Sequence, residues 1–452
     1  MFNKFIAKHI GFPLQDKVMK TSILKTNKFL LESQFWDVRK MEEYRIIKLK
    51  QLIEYSSINV PYYRDLFNKH KILPGDINTL DDIKIIPVLT KELLRENHKN
   101  LLSEKANFKY VKKGKTGGTT GTPVIIYKDV TERDFTWASY YRWYNWMGIS
   151  KYDRVLTFWG AGSIIETSKV KKVKEYLKNT VQNNLTINAF YLNEETLPLL
   201  YKKLIEYNPV LIKGYLSSII TLAVFMRSKG LKANNNLKVV SSTTETLLPM
   251  HRSFIEEVFG VNIFDQYGCG EVGGISYECS SHIGLHVTEE HVIFETLDDY
   301  NNIVVNQTGQ VTVTSLDNYV MPMIRYQNGD CATLSSEKCN CGVNSALIKS
   351  IEGRSVDTIQ LNSGSKVHGV FFTSLLFELG ITSNTISRFQ IKQLESGAID
   401  IKLEAKGGIA NELLERVKKE IQRFVEINTI ETVENIPSEL NGKFRYIKSY
   451  KS

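Results

Sequence analysis

The stretch Lys115-Thr116-Gly117-Gly118-Thr119-Thr120-Gly121-Thr122-Pro123, running into Val124-Ile125-Ile126-Tyr127, puts three glycines and four hydroxyls within eight residues. Glycines let the backbone approach a ligand closely and take up positive φ. Successive N–H groups and hydroxyls can then surround a phosphate. A polar hairpin turn would use the same residue types, so two readings stay open on this segment alone. Two phosphate-loop classes fail on spacing. A Walker loop needs Gly, four intervening residues and then Gly-Lys, but Lys109 stands where the first Gly should be. The Gly-x-Gly-x-x-Gly dinucleotide fingerprint is absent between Lys115 and Gly121.

A second constellation is metal-like. Cys339-Asn340-Cys341-Gly342 is a knuckle-type pair, and Cys279 precedes two histidines, His282 and His286. Three thiolates and one imidazole make the tetrahedral Cys₃His shell of a closed structural zinc site. Cys269 lies beside Gly270 and Glu271 with no adjoining histidine motif, so a nucleophilic role is disfavoured. Cys331 is expected to be a buried free thiol. A chain without a secretory signal argues against disulfides.

These residues must be held by an α/β framework. Val155–Trp159, Lys238–Val240 and Val261–Phe264 read as strands, and Met250–Phe259 as a helix between the last two. Phe29 to Ile58 is free of Gly and Pro and reads as helical until Val60-Pro61 breaks the pattern. Phe389–Leu394 and Ile399–Leu403 alternate across Ser396-Gly397 as a hairpin. Leu413, Leu414, Val417, Ile421 and Phe424 recur at helical spacing. The C-terminal part therefore reads as a small α+β domain, with a boundary near Gly353-Arg354-Ser355. The aromatic series Phe135, Trp137, Tyr140, Tyr141, Trp143, Tyr144 and Trp146 reads as helix core. Phe158-Trp159-Gly160-Ala161-Gly162, at a strand end, is the better pocket wall.

Composition narrows the class. With 42% hydrophobic and 24% charged residues the chain is an ordinary globular protein, not a disordered, collagenous or coiled-coil one. The longest uncharged apolar run, Gly214 to Met226, is 13 residues, short of the roughly 20 needed to span a bilayer. It reads as a buried helix. The first twenty residues scatter Lys4, Lys8, Lys17 and Lys20 through apolar positions and offer no signal-peptide core, so the expected location is cytoplasmic. A net charge of +9 and the run Lys169 to Lys174 come with no nucleic-acid motif, and a solvated helix face explains the run.

Further motifs give the loop a context. Thr116–Pro123 resembles the signature loop of the adenylate-forming superfamily, whose members include acyl-coenzyme A synthetases, luciferases and peptide-synthetase adenylation domains. Tyr267-Gly268-Cys269-Gly270-Glu271 resembles that family's Tyr-Gly-x-Thr-Glu motif. Tyr326 to Asp330 resembles its Tyr-x-Thr-Gly-Asp motif, Gly353-Arg354 its hinge, and Asn441-Gly442-Lys443-Phe444-Arg445 its catalytic-lysine motif. Val60-Pro-Tyr-Tyr-Arg64, Ile86-Pro-Val-Leu-Thr-Lys91 and Gly214-Tyr-Leu-Ser217 are similar to the phenylacetate-coenzyme A ligase branch. The late segment is similar to its CapK-like, capsular-polysaccharide-associated members. The likeness spans nearly the whole chain.

The resemblance implies a large N-terminal adenylation domain, residues 1–355, with mixed sheets and flanking helices, and a small mobile C-terminal domain, 356–452. It implies that ATP and Mg²⁺ are used to activate a carboxylic acid as its adenylate. Thr116, Gly117, Gly118, Thr119, Thr120 and Gly121 would grip phosphates, and Glu271 would hold magnesium. Tyr267 and Gly268 would pack on adenine with Glu245 near its edge. Asp330 would take the ribose hydroxyls and Arg354 would lie near ribose and phosphate. Lys443 would bridge the carboxylate and the α-phosphate as charge shifts. Gly270 replaces the usual Thr of its motif, and Val356, followed by Asp357, stands at the usual hinge position.

The same likeness selects His286 over His282, through Gly284-Leu285-His286, as the fourth ligand of a structural zinc with Cys279, Cys339 and Cys341. The acyl acceptor would be coenzyme A, a carrier thiol or an amino sugar in surface-polysaccharide assembly. Transfer of AMP itself to the acceptor and a non-catalytic nucleotide-binding scaffold are the alternatives. A homodimer is one option for the assembly.

Overall fold

The computed structural model describes residues 2–115, 125–160, 182–189, 195–354, 358–364, 388–405, 408–437 and 446–448, with short stretches between them. It divides into two compact units. The first comprises Met1–Asp153, Val181–Asn183 and Gln266–Ile351, and the second the remainder. This grouping differs from the expected 1–355 and 356–452 partition, because the parallel sheet falls with the C-terminal region.

In the first unit a seven-stranded sheet runs in the order Val292–Leu297, Thr308–Ser315, Tyr326–Ser335, Leu347–Arg354, Leu285–Val287, Ser276–Glu278, Gln266–Tyr267. The helices Val38–Asn59 and Pro61–His70 supply Leu49, Leu52, Ile53, Tyr63 and Phe67 to the same core as Val313, Ile324 and Tyr326. Proline at the first position of the second helix lacks only an N–H that would be unpaired there anyway. Val130–Trp146 carries the aromatic series. Asp129 caps it by accepting from Glu132 N at 3.0 Å, and Phe135, Tyr141, Trp143 and Tyr144 are buried. The core reading therefore holds for these four, while Trp137 is 38% exposed.

The helix expected across Phe29–Ile58 is two helices, Ile23–Ser33 and Val38–Asn59. The break has no Gly or Pro, and its signal is Asp37, whose carboxylate accepts from Lys40 N at 2.9 Å and starts the second helix.

In the second unit, five parallel strands run in the order Asn184–Asn188, Val155–Trp159, Leu211–Tyr215, Val239–Thr243, Ile263–Phe264. Val155–Phe158 and Val239–Thr243 are buried throughout, as strands covered on both faces are. Gly214 sits at φ +150°, where an added Cβ would meet the Phe158 carbonyl oxygen 2.2 Å away, so close strand packing excludes any side chain. Helix Leu216–Ser228 follows and is largely buried, as the uncharged run implied. The expected hairpin forms from Arg388–Gln393 and Ile399–Glu404, and Ile427–Val433 and Ile447–Lys448 pair on its outer edges in parallel. Helix Asn411–Gln422 buries Val417 and Ile421 against it. No described helix is long and apolar enough to cross a membrane.

Candidate nucleotide site and cysteine cluster

The Asp330 motif sits on a bulge. Gln310 pairs with Cys331 and Thr312 with Gln327, so Asn328-Gly329-Asp330 faces one residue of the neighbouring strand and is lifted from the ladder. Tyr267 Oη donates to Asp330 Oδ2 at 2.7 Å. Asn328 Nδ2 reaches the same oxygen at 3.1 Å and Tyr267 Oη at 2.5 Å, while Asp330 N donates to Asn328 Oδ1 at 3.0 Å. Burial, with Asp330 alongside, pushes the Tyr267 phenol far up, so it is a neutral donor. The bulge also explains why Cys331 is only half-buried, against expectation.

Glu271 is buried and accepts from Tyr326 Oη at 2.9 Å. Its loop is pinned two residues on. Gly273 N donates to Glu132 Oε1 at 3.3 Å, an oxygen also paired with Lys128 Nζ at 2.9 Å. The Gly273 carbonyl lies 3.1 Å from His291 Nε2, and His291 Nδ1 lies 2.7 Å from Asp317 Oδ2. Lys48 pairs with the same aspartate. A Cβ on Gly273 would meet Thr136 Oγ1 at 2.7 Å and Cγ2 at 2.8 Å, so the loop lies directly on the aromatic helix. Gly268 lies in the turn between Tyr267 and this loop.

Burial, then the Glu271 charge, pushes the Cys269 thiol far above its ordinary value, and Val272 N donates to its sulfur at 3.3 Å. A thiol so held is no nucleophile.

The second unit holds Glu245, whose carboxylate accepts from Ser217 N at 2.7 Å and Ser217 Oγ at 2.9 Å. It caps the N-terminus of helix Leu216–Ser228, where a negative charge meets the positive end of the helix dipole. Preceding it, Thr244 is held at φ +72°, a strained conformation for a β-branched residue. Thr116, Gly117, Gly118, Thr119, Thr120, Gly121 and Lys443 lie outside the described residues, as does the side chain of Arg354.

The four expected metal ligands converge. One ligand atom from each of Cys279, His286, Cys339 and Cys341 lies within 4.8 Å of all the others. Cys279 Sγ and Cys339 Sγ are 3.6 Å apart, and Cys341 Sγ is 3.2 Å from His286 Nε2. Ser345 Oγ lies 3.1 Å from His286 Nδ1 and orients the ring from behind. Burial, helped by the Arg142 guanidinium, pushes His286 down to about 4, leaving the neutral imidazole that binds metals. Backbone N–H groups of Ser281 and Val343 point at Cys279 and Cys341 sulfurs. His282 is directed elsewhere, with Nδ1 3.3 Å from Glu278 Oε2.

Sequence reasoning missed Asn328, Tyr326, Glu132 and His291. Tyr326 and Asn328 carried a local signal, since both lie within the Tyr326–Asp330 motif, although the motif assigned neither a contact.

Comparison with known proteins agrees with this frame. Residues 359–450 match the CapK C-terminal domain family. Protein CapK of Staphylococcus aureus is 25% identical over 407 residues, covering 88% of this chain and 87% of the relative. The phenylacetate-coenzyme A ligase of Thermus thermophilus is 23% identical over 371 residues, 78% of each chain. Among solved structures, 2-hydroxyisobutyryl-CoA ligase in the postadenylation state with 2-HIB-AMP superposes with a TM-score of 0.76 at 18% identity, covering 92% of both chains. The anthranilate CoA ligase AuaEII with anthranoyl-AMP reaches 0.55 at 14%, covering 85% of this chain and 75% of that one. Residues 359–450 carry the CapK C-terminal domain match, and over most of its length the chain is similar to protein CapK and to the phenylacetate-coenzyme A ligases, with the fold of the acyl-CoA ligase structures.

Proposed function

We propose that the chain is an ATP-dependent, AMP-forming acid ligase working in surface or capsular polysaccharide assembly. The observation that carries this reading is the Tyr267–Asn328–Asp330 cluster beside the Glu271 loop, which holds a carboxylate in fixed geometry on a strand bulge. Asp330 takes the ribose hydroxyls as a charged acceptor, worth more than a neutral one. Tyr267 packs on adenine. Thr116, Gly117, Gly118, Thr119, Thr120 and Gly121 hold the departing pyrophosphate, Arg354 lies by the ribose and phosphate, and Lys443 bridges the reacting carboxylate and α-phosphate.

A buried carboxylate at Glu271 fits the preference of Mg²⁺ for oxygen ligands, and bound magnesium would offset phosphate charge. The Cys279, His286, Cys339 and Cys341 set fits a structural zinc that ties two loops of the first unit together. Functionally the chain divides at 355/356, with the lysine on the small part. Glu245, engaged by Ser217, shapes the helix start near Gly214 and carries no reacting charge. The acid is a small molecule and the acceptor is coenzyme A, a carrier protein or an amino sugar. The reading places the enzyme in the cytoplasm.

Oxygen labelling tests the reaction class. The carboxylate oxygen attacks the α-phosphorus, pyrophosphate leaves, and acyl transfer then leaves that oxygen on AMP. Turnover of an ¹⁸O-carboxylate with ATP, Mg²⁺ and acceptor therefore yields ¹⁸O-labelled free AMP. Unlabelled AMP, or AMP retained on the acceptor, would overturn acid activation and favour adenylyl transfer; ATP binding without turnover would leave a scaffold.

A further inference from the structure

Residues Phe2–Met19 form one helical run with a wider turn at Ala7–Gly11, where Phe12 N bonds back to the Ala7 carbonyl five residues earlier. Such a turn inserts an extra residue. Positions five apart across it, and four apart after it, therefore share a face. Phe5, Ile10, Leu14 and Val18 follow that 5-4-4 spacing and are exposed by 61%, 53%, 51% and 67%, with Met19 at 43%. The opposite face holds the helix in place. Ala7, Gly11 and Phe12 are buried, and the Phe12 ring packs 5.4 Å from Tyr141 and 5.1 Å from Tyr152.

Charge follows the same division. Lys8, Lys17 and Lys20 are exposed, and Lys4 pairs with Asp153 at the edge. Asp16, the run's acidic residue, is turned inward, where it accepts from Thr21 Oγ1 at 2.6 Å, Ile23 N at 3.2 Å and Leu24 N at 3.1 Å. The outer face is therefore apolar and basic, with its one carboxylate withdrawn.

We propose that this helix is an interfacial anchor that lays Phe5, Ile10, Leu14 and Val18 into an anionic lipid surface while the lysines meet phosphate headgroups. Two observations favour lipid over a protein partner. The stripe is a row of five side chains, against the 20 to 30 residues a side that a standard protein interface uses, roughly. A second copy would bring the same basic face to a chain already at +9, and like charges repel. A bilayer surface needs neither a groove nor a large footprint.

Vesicle co-sedimentation of the full chain tests this. Vesicles of phosphatidylglycerol mixed with phosphatidylcholine should carry the protein down, and phosphatidylcholine alone should not. Leu14→Asp/Val18→Asp should abolish sedimentation with little change in Tm, because both side chains are more than half exposed. Lys8→Gln and Lys17→Gln should each weaken partitioning about fivefold, and added salt should weaken it further. Failure of the wild-type chain to sediment, or equal sedimentation of the aspartate variant, would overturn the anchor. A loss of dimer mass by light scattering in that variant, without lipid dependence, would assign the stripe to a second copy.

Discussion

The first unit contains two polar clusters that handle their acceptors in opposite ways. Around Asp330 every acceptor named above already has a donor from Tyr267, Asn328 or the backbone, so the geometry is set by hydrogen bonds within the cluster. Around Cys341 three sulfurs and an imidazole are drawn onto one point, with sulfur–sulfur and sulfur–nitrogen separations of 3.6 and 3.2 Å. A set of acceptors that dense is stable when a cation replaces the thiol protons. On the proposed reading the first cluster is preorganised without a nucleotide, whereas the second would depend on its zinc. Removing a metal should therefore disturb the fold, and removing a nucleotide should not.

The largest effect expected is on the cysteine side. Purified protein should carry one zinc per chain by elemental analysis, and Cys341→Ser should lose it together with a large fall in Tm. Ser345→Ala, which frees only the back of His286, should weaken zinc by about ten- to a hundredfold. Wild-type Tm unmoved by a strong chelator would break the contrast.

On the other side, Asp330→Ala should cost about 1.5 to 3 kcal/mol in AMP affinity, as loss of hydrogen bonds to a charged group does. Its Tm should stay near wild type, and calorimetric titration reads the difference directly. An unchanged affinity would remove Asp330 from the ribose site.

Next comes the loop that carries Glu271. Gly273→Ala pushes a methyl into Thr136 and should destabilise by about 1 to 3 kcal/mol. Thr136→Ala removes both clashing atoms and should restore most of that loss in the double variant. Additive losses would show that the contact does not fix the loop.

Smallest is a pH effect at Asp134, whose carboxyl is raised to about 6, chiefly by burial, and accepts from Ser22 N at 2.9 Å. The native state holds this proton to higher pH than the unfolded chain, where a carboxyl titrates near 3.9. Stability from this group is therefore present below about pH 4 and lost as pH rises through 6. Asp134→Asn should match wild type near pH 4 and exceed it at pH 7.5 in denaturant melts. A pH-independent gap would contradict the assignment.

Local patterns made part of this legible from the sequence. Val155–Trp159, the C-terminal hairpin and the helix at Asn411–Gln422 follow from apolar periodicity and a Ser-Gly turn, which are properties of neighbouring residues. The Cys₃His set was readable because thiolate and imidazole ligands have few other uses in such spacing. The seven-stranded sheet was not foreseen, since its strand order is set by pairings between segments far apart in sequence. The same reason hid the pinning of Glu271. Tyr326 reaches it from 55 residues away and Glu132 reaches Gly273 from 141, and no period encodes such distances. Asp330 was readable as a motif, but the bulge that presents it depends on register with Thr308–Ser315.

Carboxylate-dependent exchange of labelled pyrophosphate into ATP, run with Mg²⁺ across aryl, hydroxy, fatty and amino acids, tests the central claim most directly. An acid-activating ligase shows exchange with at least one acid, and Lys443→Ala abolishes it while ATP affinity is retained. Exchange that ignores the acid, or that survives undiminished in the Lys443 variant, would contradict the account.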